Sequence, residues 1–353
     1  MSRQSTETAS AYQQLIRRKL FFSIICIMAL AALFVIAVAI GPVRLSVSEV
    51  LNALLGEGSE TTVTIVWNIR IPQALAAITA GAGLAIAGAA MQNVLRNPLG
   101  SPFTLGISQA AAFGAAFAIV FLGVGSTGTD SIIIDNAPVV TVSAFVWSLA
   151  STGAILALVR YSRASPETLI LTGVALGSLF SAALSLIQYF AEDADVAAIV
   201  YWTFGDVGRA TWSDLWLMIA VTLLGTAYFV YNGWNYTVLN AGDETARGLG
   251  VNVEQLRITG MIVASLMTAF IISFVGIIGF VGLVVPHIVR KIIGADERFL
   301  LPASALVGGV LLLASDLVAR LIIAPVVLPV GILTAFLGAP LFLYLVIVGR
   351  DYW

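Results

Sequence analysis

Long uncharged runs alternate with short polar knots along most of this chain. Residues 20–41, LFFSIICIMALAALFVIAVAIG, contain no charge, and about 20 apolar residues in a helix cross the roughly 30 Å of bilayer hydrocarbon. The run exceeds the roughly 7–15 apolar residues of a cleaved secretion signal, so it predicts a retained first span. The preceding residues 1–19, with TETASAYQQLIRRK, read as a cytoplasmic lead that forms an interfacial helix. A charge at the bilayer centre costs about 3 kcal/mol. Applied onward, that criterion predicts spans near 72–94, 103–123, 138–159, 168–190, 213–231, 256–275, 278–293, 301–322 and 328–349, ten in all. Residues 258–289 are charge-free yet short for two crossings of about 20 residues each. Gly276, Gly279 and Gly282 supply a break there and Pro286 follows, so one of this pair is short or tilted.

Composition agrees with the pattern. Of 353 residues, 59% are hydrophobic and 10% charged, against about a quarter charged in soluble domains. The fold class predicted is an all-α polytopic membrane protein, with one transmembrane domain over 20–350 after the 1–19 lead. The lone cysteine, Cys26, excludes an intramolecular disulfide and reads as an inert thiol in the first run.

Placement of charge says more than the net value of −2. With both termini cytoplasmic, basic residues such as Arg17, Arg18, Lys19, Arg96, Arg160, Arg163, Arg247, Arg257, Arg290, Lys291 and Arg298 fall inside. Arg44, Arg70, Arg209 and Arg320 fall outside, beside acidic residues such as Glu192, Asp193 and Asp195. That asymmetry obeys the positive-inside rule. Ten spans divide as five plus five, which would make the halves topologically inverted as in many transporters, although no sequence repeat supports it.

Four polar constellations stand out. MQNVLRNPLGSP, residues 91–102, follows a stretch rich in small residues, with Gly81, Gly83, Ala87 and Gly88 suited to close helix approach in lipid. Asn97-Pro98 favours a turn, and a capped helix end with a snorkelling arginine accounts for Arg96 but not for the whole string. Segment 239–251, LNAGDETARGLGV, reads as a short surface helix stopping at glycine, or as a solvated connector. Segment 273–298 carries the only histidine, His287, a packing or hydrogen-bonding residue more often than a ligand. No spacing in the chain matches a metal site. Asp316 and Arg320 are i,i+4 near the outer end of the ninth span, which allows an intrahelical pair with a structural or a functional role.

These strings resemble the permease subunits of ABC importers for iron–siderophore complexes, haem and cobalamin, the FecCD-type family. The matching pieces are RIPQALAAITAGAGLAIAGAAMQNVLRNPLGSPFTLGIS, LTGVALG, YWTFGDVGRATW, LNAGDETARGLGV, GFVGLVVPHIVRKIIGADERFLLPASALVGGVLLLASDLVARL and LPVGILTAFLGAPLFLYL, over roughly residues 65–345. The resemblance implies ten helices per subunit in the type II importer architecture and a pathway between two permease copies, a homodimer being the simpler pairing. It also implies two ATPase subunits on the cytoplasmic side and a periplasmic or extracellular binding protein outside. The location implied is the inner (plasma) membrane of a prokaryote, in contact with lipid, and the pathway is lined largely by the fifth and tenth helices. The ATPase contact maps to Asn240, Ala241, Gly242, Asp243, Glu244, Thr245, Ala246, Arg247, Gly248, Leu249 and Gly250, within a coupling segment 239–257. The cytoplasmic gate maps to Ser165, Pro166, Glu167 and Thr168, and binding-protein docking to Arg70, Gln73 and Arg320. The sequence departs from the pattern at Gln73, where a second arginine is usual, and at Val327, where glutamate is common.

The chain has no GxxxxGK[ST] phosphate loop, so ATP and Mg are expected on the partner ATPase, with no cofactor, metal or catalytic residue in this chain and no nucleic-acid partner. An ion-coupled secondary transporter of a small solute is the alternative. It needs ionisable groups near the midplane, and only Asp316 approaches that, with Arg320 beside it. An intramembrane enzyme would need paired carboxylates, HExxH or a nucleophile–base motif, none of which is present.

Overall fold

The computed structural model of the chain describes residues 2–124, 136–162 and 166–348. Every regular element among them is helical. In chain order these are α1 (Ser2–Ala39), α2 (Val47–Leu54), α3 (Glu60–Thr64), α4 (Ile71–Val94), α5 (Ile107–Phe121), α6 (Ala137–Ser162), α7 (Pro166–Phe190) and α8 (Asp193–Thr203). Then follow α9 (Trp212–Tyr231), α10 (Gly233–Leu239), α11 (Asp243–Gly248), α12 (Val253–Val275), α13 (Val281–Ile293), α14 (Glu297–Leu321) and α15 (Val330–Val348).

Seven stretches are long and apolar enough to cross a membrane, lying in α1, α3–α4, α6, α7, α9, α12 and α14. They coincide with seven of the ten expected spans. The other three, α5, α13 and the apolar part of α15, are shorter. At 13 residues, α13 rises only about 20 Å, so it is the short member of the 256–293 pair. The break before it is sharp: α12 ends at Val275, Gly276 has φ 76°, and Phe280 opens α13 with φ 66°.

Three boundaries differ from the sequence expectation. The lead is not a separate interfacial helix, because α1 runs unbroken through Arg17–Lys19. Arg, Lys and Gln are good helix formers, and Lys19 is held by Asp296 at 3.3 Å and lies over the Phe299 ring. The third span does not start at 103, since residues 102–106 form turns and Gly106 caps α5 with φ 75°. The ninth begins at Glu297 rather than 301, with Asp296 accepting the Arg298 N–H as N-cap.

Helix α4 is the axis of the fold. Nearly every one of its residues is buried, and it packs against α14, α12, α13 and α9. So thorough a burial is possible because its side chains are mostly alanine and glycine. At Gly81 and Gly308 the backbones of α4 and α14 meet, each where the other's carbonyl would strike a Cβ. A Cβ on Gly88 would likewise strike the carbonyl of Gly282 in α13, and one on Gly282 the carbonyl of Leu84. Without a hydrophobic driving force between helices in lipid, such close contact is what van der Waals packing requires.

Candidate functional site

At one end of the bundle the polar knots come together. Helix α4 stops in a Schellman motif: Asn97 N–H donates to Gln92 O (3.1 Å) and Arg96 N–H to Asn93 O (3.1 Å). The left-handed position usually given to glycine is here Arg96, φ 46°. From there the guanidinium reaches Asp243 Oδ1 at 2.6 Å and donates to Leu239 O at 3.2 Å. Arg257 at the start of α12 grips the same carboxylate with two bonds, 3.0 and 2.9 Å. Asp243 is the first residue of α11, so two arginines from α4 and α12 fix the base of that helix.

The 239–251 segment is therefore a built element rather than a solvated connector. Helix α11 ends in a second Schellman motif, with Val251 N–H on Ala246 O and Gly250 N–H on Arg247 O, both 3.0 Å. Gly250, at φ 85°, supplies the left-handed residue. Ala246 is buried, while Glu244, Thr245, Arg247, Gly248 and Leu249 face outward. Asn240 and Ala241 lead into Gly242, which has φ 114°.

The opposite end holds Arg70, Gln73 and Arg320, expected to present charge on an outer face. The structure brings all three together but inside, at 3%, 7% and 2% exposure. Arg70 closes a π-helical turn at Ile65–Arg70 and donates to Val38 O (2.8 Å), Ala39 O (2.8 Å) and Val43 O (2.5 Å). It thus satisfies carbonyls left open where α1 ends. Arg320 pairs with Asp316 at 2.8 Å, the i,i+4 pair anticipated, and donates to Ala37 O. Gln73 Nε2 donates to Asp316 Oδ1 at 3.0 Å. These side chains clasp α1, α4 and α14, and in this conformation none of the three offers a free charge. Arg44 nearby is exposed, whereas Arg209 donates to the carbonyls of Tyr201, Trp202 and Phe204.

Along the edge of the bundle, α7 bears an open groove of about 480 Å³ lined by Phe103, Thr104, Gln109, Gly173, Gly177, Ser178 and Ser181, among others. Gly173 admits the backbone of Thr104 and Leu105, so the turn after the NPLG knot lies directly on α7. Ser178 and Ser185 return their hydroxyls to carbonyls four residues back, which leaves a small, weakly polar, exposed face. The exposed face of α9 carries the large apolar side chains Trp216, Leu217, Leu223 and Leu224 through its middle, as lipid contact demands. Of the expected gate residues, Ser165 lies outside the described residues, as do the side chains of Pro166 and Glu167. Pro166 opens α7 and Thr168 is exposed in its first turn.

Sequence reasoning missed one group of residues. Asn93, Asn240, Arg290 and Glu297 converge beneath α11 from four separate elements. Asn93 lies in the 91–102 string, Asn240 in 239–251, and Arg290 and Glu297 in 273–298, but nothing in those strings pairs them, and the one signal for Glu297 is an acid standing close to a long apolar run.

A helical bundle with seven stretches long and apolar enough to cross a membrane and with close-packed glycine seams is that of a polytopic membrane protein. The chain belongs to the FecCD transport family, whose model matches residues 29–348. It is 52% identical over 337 residues to a protein of Methanocaldococcus jannaschii named as an ABC transporter permease, covering 95% of this chain and 97% of that one. It is 37% identical to the hemin transport system permease of Yersinia pestis, over 81% of this chain and 84% of the relative. A solved inward-facing metal-chelate type ABC transporter superposes with a TM-score of 0.79 at 30% identity, covering 92% of this chain and 98% of that chain.

Proposed function

We propose that this chain is the transmembrane permease of an ATP-driven importer that passes a metal chelate, such as haem, a ferric siderophore or cobalamin, from a binding protein to the cytoplasm. The observation that carries the reading is the clamped α11 helix, a rigid lever with exposed Glu244 and Arg247 held by Arg96 and Arg257. A separate ATPase docks there and supplies the nucleotide chemistry. The α11 end and both termini face the cytoplasm of a prokaryotic cell with the protein in its inner membrane, and ten helices cross or enter the bilayer. Two copies of the chain meet along α7 and α15, whose exposed faces include Ser178, Ser181, Phe336 and Leu343, and the α7 groove lines the pathway between them. Residues 165–168 close its cytoplasmic end. The binding protein is received at the opposite end, over the clasp of Arg70, Gln73 and Arg320, which sets the shape of that surface from beneath.

Glu244→Lys with Arg247→Glu tests the central part. The account predicts loss of ATPase co-purification from a detergent-solubilised, co-expressed complex, with the permease still monodisperse. Undiminished co-purification would remove α11 from the ATPase contact.

A further inference from the structure

Beneath the clamp lies a fully buried carboxylate. Glu297 is the first residue of α14 and is 0% exposed. An acid in a first helical turn ordinarily faces water and answers the helix dipole. A fully buried one has to be held by donors.

The donors come from three directions. Glu297 Oε1 accepts from Asn93 Nδ2 of α4 at 3.2 Å and from Asn240 Nδ2 of the 239–251 segment at 3.2 Å. Arg290 of α13 stands 3.9 Å from the same oxygen. The Glu297 backbone N–H donates to Thr237 Oγ1 of α10 at 3.0 Å. Arg290 also donates to Gln92 Oε1 at 3.2 Å, and Gln92 Nε2 to Leu283 O at 3.0 Å, which extends the network along α13 toward its break at Phe280.

The centre of this network is over-subscribed. Asn93 Nδ2 faces Asn240 Oδ1 at 2.8 Å, Tyr236 O at 3.1 Å and Glu297 Oε1 at 3.2 Å. An amide nitrogen carries two hydrogens, so the three acceptors cannot all be filled at once. Asn93 Oδ1 and Glu297 Oε2 are buried with no hydrogen-bond partner among the described residues. The joint therefore has alternative ways of sharing its donors, some tying α4 to the 239–251 segment and others tying it to α14. A discrete element of that kind is the physical requirement for coupling between distant sites.

We infer that Glu297 is a positioning residue through which displacement of the 239–251 segment is passed to α4, α13 and α14. This rests on the reading that the segment receives the ATPase. Push on α11 and Asn240 moves; Asn93 and Glu297 are its hydrogen-bond partners, and they stand at the last turn of α4 and the first of α14, the two helices that share the Gly81–Gly308 seam. Side chains that served only to fill space would not need a carboxylate.

The test uses the assembled permease–ATPase complex in lipid nanodiscs, in a background where Cys26 is replaced by serine and Ser181→Cys reports from the α7 groove. Its labelling rate by a membrane-impermeant maleimide is compared between the nucleotide-free and ADP–vanadate-trapped states. In the parent we expect the two rates to differ at least fivefold. Glu297→Leu should bring that ratio to about one while ATPase co-purification persists, and Glu297→Gln, which still accepts both amide bonds, should restore most of it. A Glu297→Leu complex that keeps the parental ratio overturns the inference, as does loss of the ratio in both variants alike. Where Glu297→Leu fails to assemble, Asn93→Ser breaks the same contact from the α4 side and is read by the same criterion. Failure of the underlying reading shows separately, as undiminished ATPase co-purification after the α11 charge reversals.

Discussion

Replacing Asp243 with alanine should free α11 from the bundle without unfolding it. The carboxylate takes two bonds from Arg257, at 3.0 and 2.9 Å, and one ion pair from Arg96 at 2.6 Å. A hydrogen bond to a charged group contributes about 1.5–3 kcal/mol when shielded, and exposed ion pairs less than about 1 kcal/mol. The Asp243 side chain is 25% exposed and that of Arg96 40%, and bonds sharing one carboxylate are not additive. The loss therefore comes to about 2–3 kcal/mol for the pair of arms, or an opening equilibrium shifted about 30- to 150-fold. Amide hydrogen exchange read over residues 243–251 should accelerate by that factor, with α4 and α14 unchanged. Arg96 permits a finer dissection because its backbone is left-handed. Arg96→Ala loses the ion pair and keeps the strain; Arg96→Gly loses the pair and relieves the strain. The glycine variant should be more stable by about 1 kcal/mol. If exchange at α11 is unchanged in Asp243→Ala, or if alanine and glycine at 96 are equivalent, the clamp as described is wrong.

Three further outcomes follow from the same structure. Arg320→Met leaves the buried Asp316 unpaired and should cost about 3–5 kcal/mol, whereas the double change Asp316→Leu/Arg320→Met should recover most of it, measured by denaturant titration in detergent. Gly88→Ala places a methyl on the Gly282 carbonyl and should cost at least about 1–3 kcal/mol, seen as a lower melting temperature. Burial alone would raise the Asp296 carboxyl, but its bonds from Arg298 and the nearby Lys19 ammonium outweigh this and hold it at about 2. A carboxyl lowered from about 3.9 contributes stability that is complete above the unfolded value and lost only as pH falls toward the folded one. The penalty of Asp296→Asn should accordingly be constant from pH 5 to 8, and a penalty that varies across that window would contradict the assignment.

Much of this molecule could be read from local pattern. The small-residue stripe of α4, the break near Gly276, the Asp316–Arg320 pair and the helix ending before Gly250 are all set by residues a few positions apart. Other features depend on residues far apart in the chain. Arg96 and Asp243 meet across more than a hundred residues, and nothing in NPLG names its partner. Arg70 looks like an exposed charge because it follows a polar stretch, yet the open carbonyls at the end of α1 draw it inside. Glu297 was concealed by its position, since an acid opening a helix has an ordinary explanation. Lys19, placed in a lead outside the first span, is part of α1 because Asp296 receives it. Only the packing of helices shows which charges are already taken up by partners.

The most direct test of the central claim is uptake by purified components. Proteoliposomes bearing this chain and its co-purifying ATPase, given haem-loaded or ferric-siderophore-loaded binding protein outside, are assayed for chelate accumulation with and without internal ATP. The account predicts accumulation that requires ATP, the ATPase and the binding protein together, and that is abolished by Glu244→Lys/Arg247→Glu. Accumulation by the chain alone, driven by a proton or sodium gradient and indifferent to ATP, would contradict it.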